Sequence, residues 1–181
     1  MYAYKTAEYI KDMGTPKRYE EVINDFNSGI ISKLGGKKKA VFIDRDGVII
    51  KDEGLVYKLP QVKLIDGAAE GIRCINQNGY LAVVVTNQSV IARNLCSFDE
   101  LDNIHKKMEV LLGKKNAFVD NIYFCPHHPD KGYPEERKEY KVKCSCRKPE
   151  PGLILSAIKE MNIDINNSLL IGDRLTDIQA A

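Results

Sequence analysis

Ala40-Val41-Phe42-Ile43-Asp44-Arg45-Asp46-Gly47-Val48-Ile49 is the stretch on which the reading of this chain turns. A lysine cluster, Lys37-Lys38-Lys39, gives way to four apolar residues, and these stop at an aspartate. A short apolar run with a polar stop reads as a buried strand. Ligands of open α/β sheets bind in the crevice beyond the carboxyl ends of the strands, so Asp44 and Asp46 are expected to enter that crevice together. Two carboxylates one residue apart can divide a reaction. One attacks as a nucleophile, and the other carries a proton to and from the leaving group. Gly47 lets the backbone turn sharply behind them. Taken alone, the same residues also describe a polar turn after a strand.

Working outward, strands and helices alternate. Ala68, Ile72 and Ile75 share a helical face within residues 67–78, and Asn78-Gly79 stops it. Residues 81–86 are apolar and rich in valine, a second buried strand. Ser97-Phe98-Asp99-Glu100 has the form of a capping box, opening a helix expected to reach about Leu112. Residues 121–125 and 168–172 read as two more strands, and residues 151–161 as a helix with Pro151 in its first turn. This order predicts an α/β fold with a mainly parallel, Rossmann-like sheet covered by helices on both faces.

Three further polar groups fall at strand ends or beside the crevice. Thr86-Asn87-Gln88 offers a hydroxyl and amides to phosphate oxygens, and Arg147-Lys148-Pro149 offers positive charge to a phosphoryl group in transfer. Gly172-Asp173-Arg174-Leu175-Thr176-Asp177 offers carboxylates to a hard cation, and magnesium suits such oxygen ligands. Each has a bland reading as a turn, a solvated basic pair or a helix cap. Four in order point to phosphoryl chemistry.

Cys125-Pro126-His127-His128 and Cys144-Ser145-Cys146 supply three thiolates and an imidazole, enough to close a structural tetrahedral zinc site. His127 is the favoured imidazole ligand. Such a site would staple the polar residues 129–143 and fix Arg147 and Lys148 behind the last cysteine. Five cysteines, three of them beside histidines, fit a reducing compartment better than a disulfide framework. No stretch approaches the roughly 20 apolar residues of a membrane span, and the N-terminus has no signal-peptide core. A cytoplasmic protein without a membrane partner is expected. A net charge of +2 and the absence of tryptophan argue against a nucleic-acid partner.

Residues 1–38 look separate. Thr15-Pro16 is a good helix start, Tyr19, Val22, Ile23 and Phe26 form an apolar stripe, and Ser28-Gly29 ends it. Leu34-Gly35-Gly36 and the lysine run then read as a linker, with a second domain over residues 39–181.

The pattern Asp44/Asp46, Thr86, Lys148 and Asp173/Asp177 resembles that of the haloacid dehalogenase (HAD) superfamily. The resemblance implies an aspartyl-phosphate mechanism with Asp44 as nucleophile and Asp46 as general acid and base. It implies magnesium held by Asp44, the Asp46 carbonyl and Asp173, with Asp177 in support, and phosphoryl oxygens bound by Thr86 and Lys148. The stretch between Gly47 and Gly67 is too short for a helical cap domain, which disfavours mutase chemistry. With Ile-Ala-Arg and the cysteine–histidine loop, the motifs look like those of the D-glycero-D-manno-heptose 1,7-bisphosphate 7-phosphatase and histidinol-phosphatase families. A sugar phosphate is then the implied substrate, with Asn87 and Arg147 touching the sugar or its second phosphate. Histidinol phosphate and a non-catalytic zinc-stabilised module are the alternatives. Val90 and Asn94 depart from the family, which usually has glycine at both places. Asp12-Met13-Gly14-Thr15-Pro16 with Tyr19 resembles the end of a sugar-phosphate nucleotidyltransferase, so the N-terminal segment reads either as the remnant of a fused domain or as a lead-in helix. The family pattern also continues beyond Asp177, so the phosphatase domain is expected to be incomplete at its C-terminus.

Overall fold

Strands buried on both faces build the core. In a computed structural model, which describes residues 10–130, 132 and 135–181 with backbone alone at 32–34, β1 (Ala40–Ile43) and β2 (Leu81–Asn87) are central strands. Successive side chains of a strand point to opposite faces. Accordingly Val41, Ile43, Ala82 and Val84 face one layer, with Ile72 of α3 (Ala68–Gln77) and Ile104, Met108 and Leu112 of α4 (Phe98–Gly113). Ala40, Phe42, Val83 and Val85 face the other, with Leu153, Ile154 and Ala157 of α5 (Gly152–Met161) and Ala180 of α6 (Leu175–Ala180). Both faces of β1 and β2 are covered, as their continuous apolar runs predict, whereas Leu169 and Ile171 stay exposed.

The sheet has four parallel strands in the order β3-β2-β1-β4, with β3 spanning Asn121–Cys125 and β4 spanning Leu169–Ile171. Ile43 pairs with Val84 and with Ile171, and Asn87 pairs with Cys125. That register brings Asp44, Thr86 and Gly172 to one rim. Ser97 caps α4 by accepting from Glu100 N at 3.1 Å, while Glu100 accepts from Ser97 N at 2.7 Å.

Two elements differ from the sequence reading. A short helix, α2 (Ile30–Gly35), follows α1 (Pro16–Asn27) and takes in Leu34 and Gly35, the start of the expected linker. The chain also turns into α6 just after Asp173, where Asp177 reaches back to cap the first turn. Both helices are six residues long, too short for helical periodicity to show in sequence. Residues 1–9 and, within the polar loop, positions 131, 133 and 134 lie outside the described residues. Among the described residues no helix is long and apolar enough to cross a membrane.

Candidate active site

Asp44 leaves β1 at the sheet rim, its N–H donating to Ile171 O at 2.9 Å. Its Oδ1 accepts from Arg45 N at 2.8 Å and lies 3.0 Å from Lys148 Nζ. One oxygen therefore fixes the carboxylate, and Oδ2 remains for chemistry. Burial raises the Asp44 pKa, the Lys148 ammonium opposes that rise, and Asp177 adds to it.

Lys148 approaches from the loop before α5 and is buried. Its Nζ donates to Val85 O at 2.8 Å and lies 2.5 Å from Asp177 Oδ1, so with Asp44 three oxygens surround its three protons. Asn87 pins the lysine backbone. Its Oδ1 accepts from Lys148 N and its Nδ2 donates to Lys148 O, both at 3.0 Å. Asn87 lines the cleft, but its amide is committed to positioning Lys148 rather than turned toward a sugar or second phosphate as expected.

Glycines make room for the acids. A Cβ on Gly47, whose φ is 85°, would collide with the Asp173 carboxylate, and one on Gly172 would collide with the Asp177 side chain. Asp177 Oδ2 accepts from Arg174 N at 3.0 Å. Oxygens of Asp44, Asp173 and Asp177 lie within 4.8 Å of one another. Three carboxylates beside the Lys148 ammonium and the Arg174 guanidinium leave a negative surplus at the centre that suits a cation, and an all-oxygen donor set fits magnesium. Asp46, Thr86 and Arg147 line the same cleft of about 240 Å³ with Asp44, Asn87 and Lys148.

Cys125, His127, Cys144 and Cys146 converge behind this cleft. Sγ–Sγ separations are 3.5, 3.2 and 3.3 Å, and His127 Nδ1 lies 3.6 Å from Cys125 Sγ and 3.4 Å from Cys146 Sγ. Ligands about 2.3 Å from a tetrahedral zinc stand about 3.7 Å apart, so the cluster fits that ion. Burial raises the Cys125 thiol pKa, and a cation held by the cluster would oppose that rise. His128 turns away, its Nε2 lying 2.9 Å from Arg93 Nη2. Arg147 Nη1 donates to His127 O at 2.9 Å, tying the loop to the cleft.

Sequence reasoning overlooked Arg45 and His105, and read Gln88 as an amide for phosphate oxygens, whereas its side chain bonds Arg45 and Asp46. Arg45 is fully buried, and its guanidinium joins Asp46, Gln88 and His105. One signal was present: His105 lies among Leu101, Ile104, Met108 and Leu112 at helical spacing, a polar residue on the apolar face of α4.

Residues 145–181, which contain Lys148, Asp173 and Asp177, match the HAD-hydrolase-like family. Over 143 residues the chain is 44% identical to the D-glycero-β-D-manno-heptose-1,7-bisphosphate 7-phosphatase of Pasteurella multocida, a match spanning 79% of this chain and 75% of that protein. The chain belongs to the D-glycero-β-D-manno-heptose-1,7-bisphosphate 7-phosphatase family. The Haemophilus influenzae heptose-bisphosphate phosphatase is 42% identical over 142 residues, spanning 78% of this chain and 74% of its own. Among solved structures, the D,D-heptose 1,7-bisphosphate phosphatase of B. bronchiseptica, complexed with magnesium and phosphate, shares the fold with a TM-score of 0.69. It is 34% identical and covers 79% of this chain and 74% of its own. The expected fusion to a nucleotidyltransferase finds no support in these heptose-bisphosphate phosphatases.

Proposed function

We propose that this phosphatase removes the 7-phosphate of D-glycero-β-D-manno-heptose 1,7-bisphosphate by a two-step transfer through Asp44. The observation that carries the reading is the Asp44–Lys148–Asp177 ion-paired centre at the rim of β1, in a chain 44% identical to an enzyme of that name. Asp44 attacks phosphorus with a carboxylate oxygen, the bond from phosphorus to the C7 oxygen breaks, and Asp46 gives that oxygen its proton. Water then attacks the aspartyl phosphate and loses a proton to the Asp46 carboxylate, which releases inorganic phosphate and restores the Asp44 carboxylate and the protonated Asp46. Lys148, with Thr86 beside it, faces the charge that builds on the phosphoryl oxygens.

Asp44, the Asp46 carbonyl and Asp173, supported by Asp177, would hold magnesium, which supplies charge neutralisation for the phosphoryl group. Cys125, His127, Cys144 and Cys146 would hold a structural zinc that sets Arg147 and Lys148 in place. Arg147, at the mouth of the cleft, is the residue for the sugar or its second phosphate. Free cysteines gathered in a cation set support a reducing, cytoplasmic setting.

The test is phosphate release with magnesium from heptose 1,7-bisphosphate and histidinol phosphate side by side, with Asp44→Asn as control. Hydrolysis of the heptose bisphosphate that vanishes in the variant is expected. Turnover of histidinol phosphate alone would overturn the substrate while leaving the mechanism intact, and full activity in Asp44→Asn would overturn the mechanism.

A further inference from the structure

We propose that Arg45, Gln88 and His105 form a positioning cradle for Asp46, through which His105, a side chain on α4, controls the proton-transfer half of the reaction. The proposal rests on the reading of Asp46 as general acid.

A buried guanidinium is tolerated only when its donors are satisfied. Arg45 Nε donates to Asp46 Oδ1 at 2.9 Å, and Nη2 donates to Asp46 Oδ2 at 3.0 Å and to Gln88 Oε1 at 2.9 Å. The remaining arm, Nη1, lies 3.1 Å from His105 Nε2. Gln88 closes the ring, its Nε2 donating to Asp46 Oδ2 at 2.8 Å and to Thr86 Oγ1 at 2.9 Å. The two-pronged pairing fixes the plane of the Asp46 carboxylate, as a single hydrogen bond would not.

His105 completes the cradle as an acceptor. Burial, then the charge of Arg45, lowers its pKa to about 3, against a weaker pull from Asp102. The neutral ring therefore offers Nε2 to Arg45 and carries its proton on Nδ1, and it packs against Phe124 with ring centres 5.6 Å apart.

The count of acceptor positions gives the cradle its chemical meaning. A carboxylate presents about four lone-pair positions. On Asp46, Oδ2 uses two and Oδ1 uses one, all in the cradle. Among the described residues one position on Oδ1 remains for the transferring proton, on a side chain that lines the cleft. The other ionisable groups around that cleft are Asp44, Lys148, Arg147 and Arg174. Misplacing a reacting group by about 1 Å can reduce the rate about a hundredfold. His105 therefore acts as a positioning residue with no contact to substrate.

Leaving-group dependence separates this role from a merely structural one. The constant kcat/KM covers the steps up to departure of the leaving group. A sugar alkoxide needs a proton to depart, whereas p-nitrophenolate does not. His105→Phe is expected to lower kcat/KM for the sugar phosphate about 10- to 100-fold, and for p-nitrophenyl phosphate less than about threefold. His105→Gln, which keeps an acceptor, is expected to restore most of the loss. Gln88→Leu removes an acceptor of Arg45 and a donor to Asp46 and is expected to match His105→Phe, so it carries the test if the phenylalanine variant does not fold. Asp46→Asn is the reference. If it discriminates between the substrates while folded cradle variants lose both activities equally or neither, the cradle is refuted. If Asp46→Asn itself does not discriminate, the general-acid reading is what fails.

Discussion

Gly47 shows how an absent side chain can hold a site together. Its φ of 85° lies where non-glycine residues are strained, and the Asp173 carboxylate occupies the space a Cβ would need. Gly47→Ala is expected to lose about 1–3 kcal/mol of stability, read as a Tm lower by several degrees. It should also lower phosphatase activity at least about tenfold by displacing Asp173, and wild-type values in both assays would refute the placement. His105 makes a different prediction, in pH. Its folded pKa is about 3, against about 6.5 in an unfolded chain. Between those values the unfolded state binds the extra proton, so stability rises with pH and is lost as pH falls from about 6.5 toward 3. In urea unfolding, wild type should lose about 2 kcal/mol more than His105→Gln between pH 7 and pH 4.5. Parallel losses in the two proteins would mean that burial and Arg45 do not hold His105 neutral in the fold.

At the scale of elements, the cysteine–histidine loop is fastened to the loop that follows β2. Arg137 N donates to Ala92 O at 2.9 Å and Arg137 Nε to Asn94 Oδ1 at 2.7 Å, while Tyr140 packs on the buried cluster of Val90, Ile91, Cys96 and Leu101. Val90 and Asn94, where the resemblance led glycines to be expected, fit here: Val90 is core, and Asn94 takes φ 54°, a region that asparagine tolerates. Metal loss should therefore be felt across both loops. Cys144→Ser is expected to purify with little zinc, to melt about 10 °C lower and to become sensitive to protease within residues 129–143. A variant with unchanged melting and cleavage would show that the loop holds without its metal. The four strands were legible as short apolar runs between polar stops, and the four long helices from their start signals and the 3.6-residue spacing of apolar positions. The site's acids were legible for a related reason: each stands at the end of such an element. What stayed hidden was pairing across the chain, since Asn87 meets Lys148 61 positions away and Arg45 meets His105 60 positions away. Sequence periodicity carries no record of contacts like these.

The molecule as a whole divides its apolar surface unevenly. Helix α1 buries no residue, packs on α2, and leaves Tyr19, Ile23 and Phe26 of its apolar stripe 54%, 41% and 70% exposed. The sheet starts beyond it, at Ala40. Lys38 N donates to Asn162 O at 2.8 Å, and Asp164 N donates to Lys38 O at 2.7 Å, so the entry to β1 is anchored on the far end of α5. Among the described residues, the exposed bond from Asn162 Nδ2 to Gly35 O, 3.3 Å long, reaches back from that anchor to α2. A short helix with an unburied apolar face adds little stability in water, because side-chain packing rather than propensity supplies most of it. A chain beginning at Gly36 is therefore expected to melt within about 2 °C of the 181-residue chain and to keep its kcat/KM within about twofold. It should also be less prone to self-association, since the exposed stripe goes with the segment. Scanning calorimetry and sedimentation of the two chains decide the matter. A fall of more than about 5 °C would mean that α1 and α2 brace the sheet through contacts stronger than the Gly35 bond, and would move the domain boundary N-terminal of residue 39.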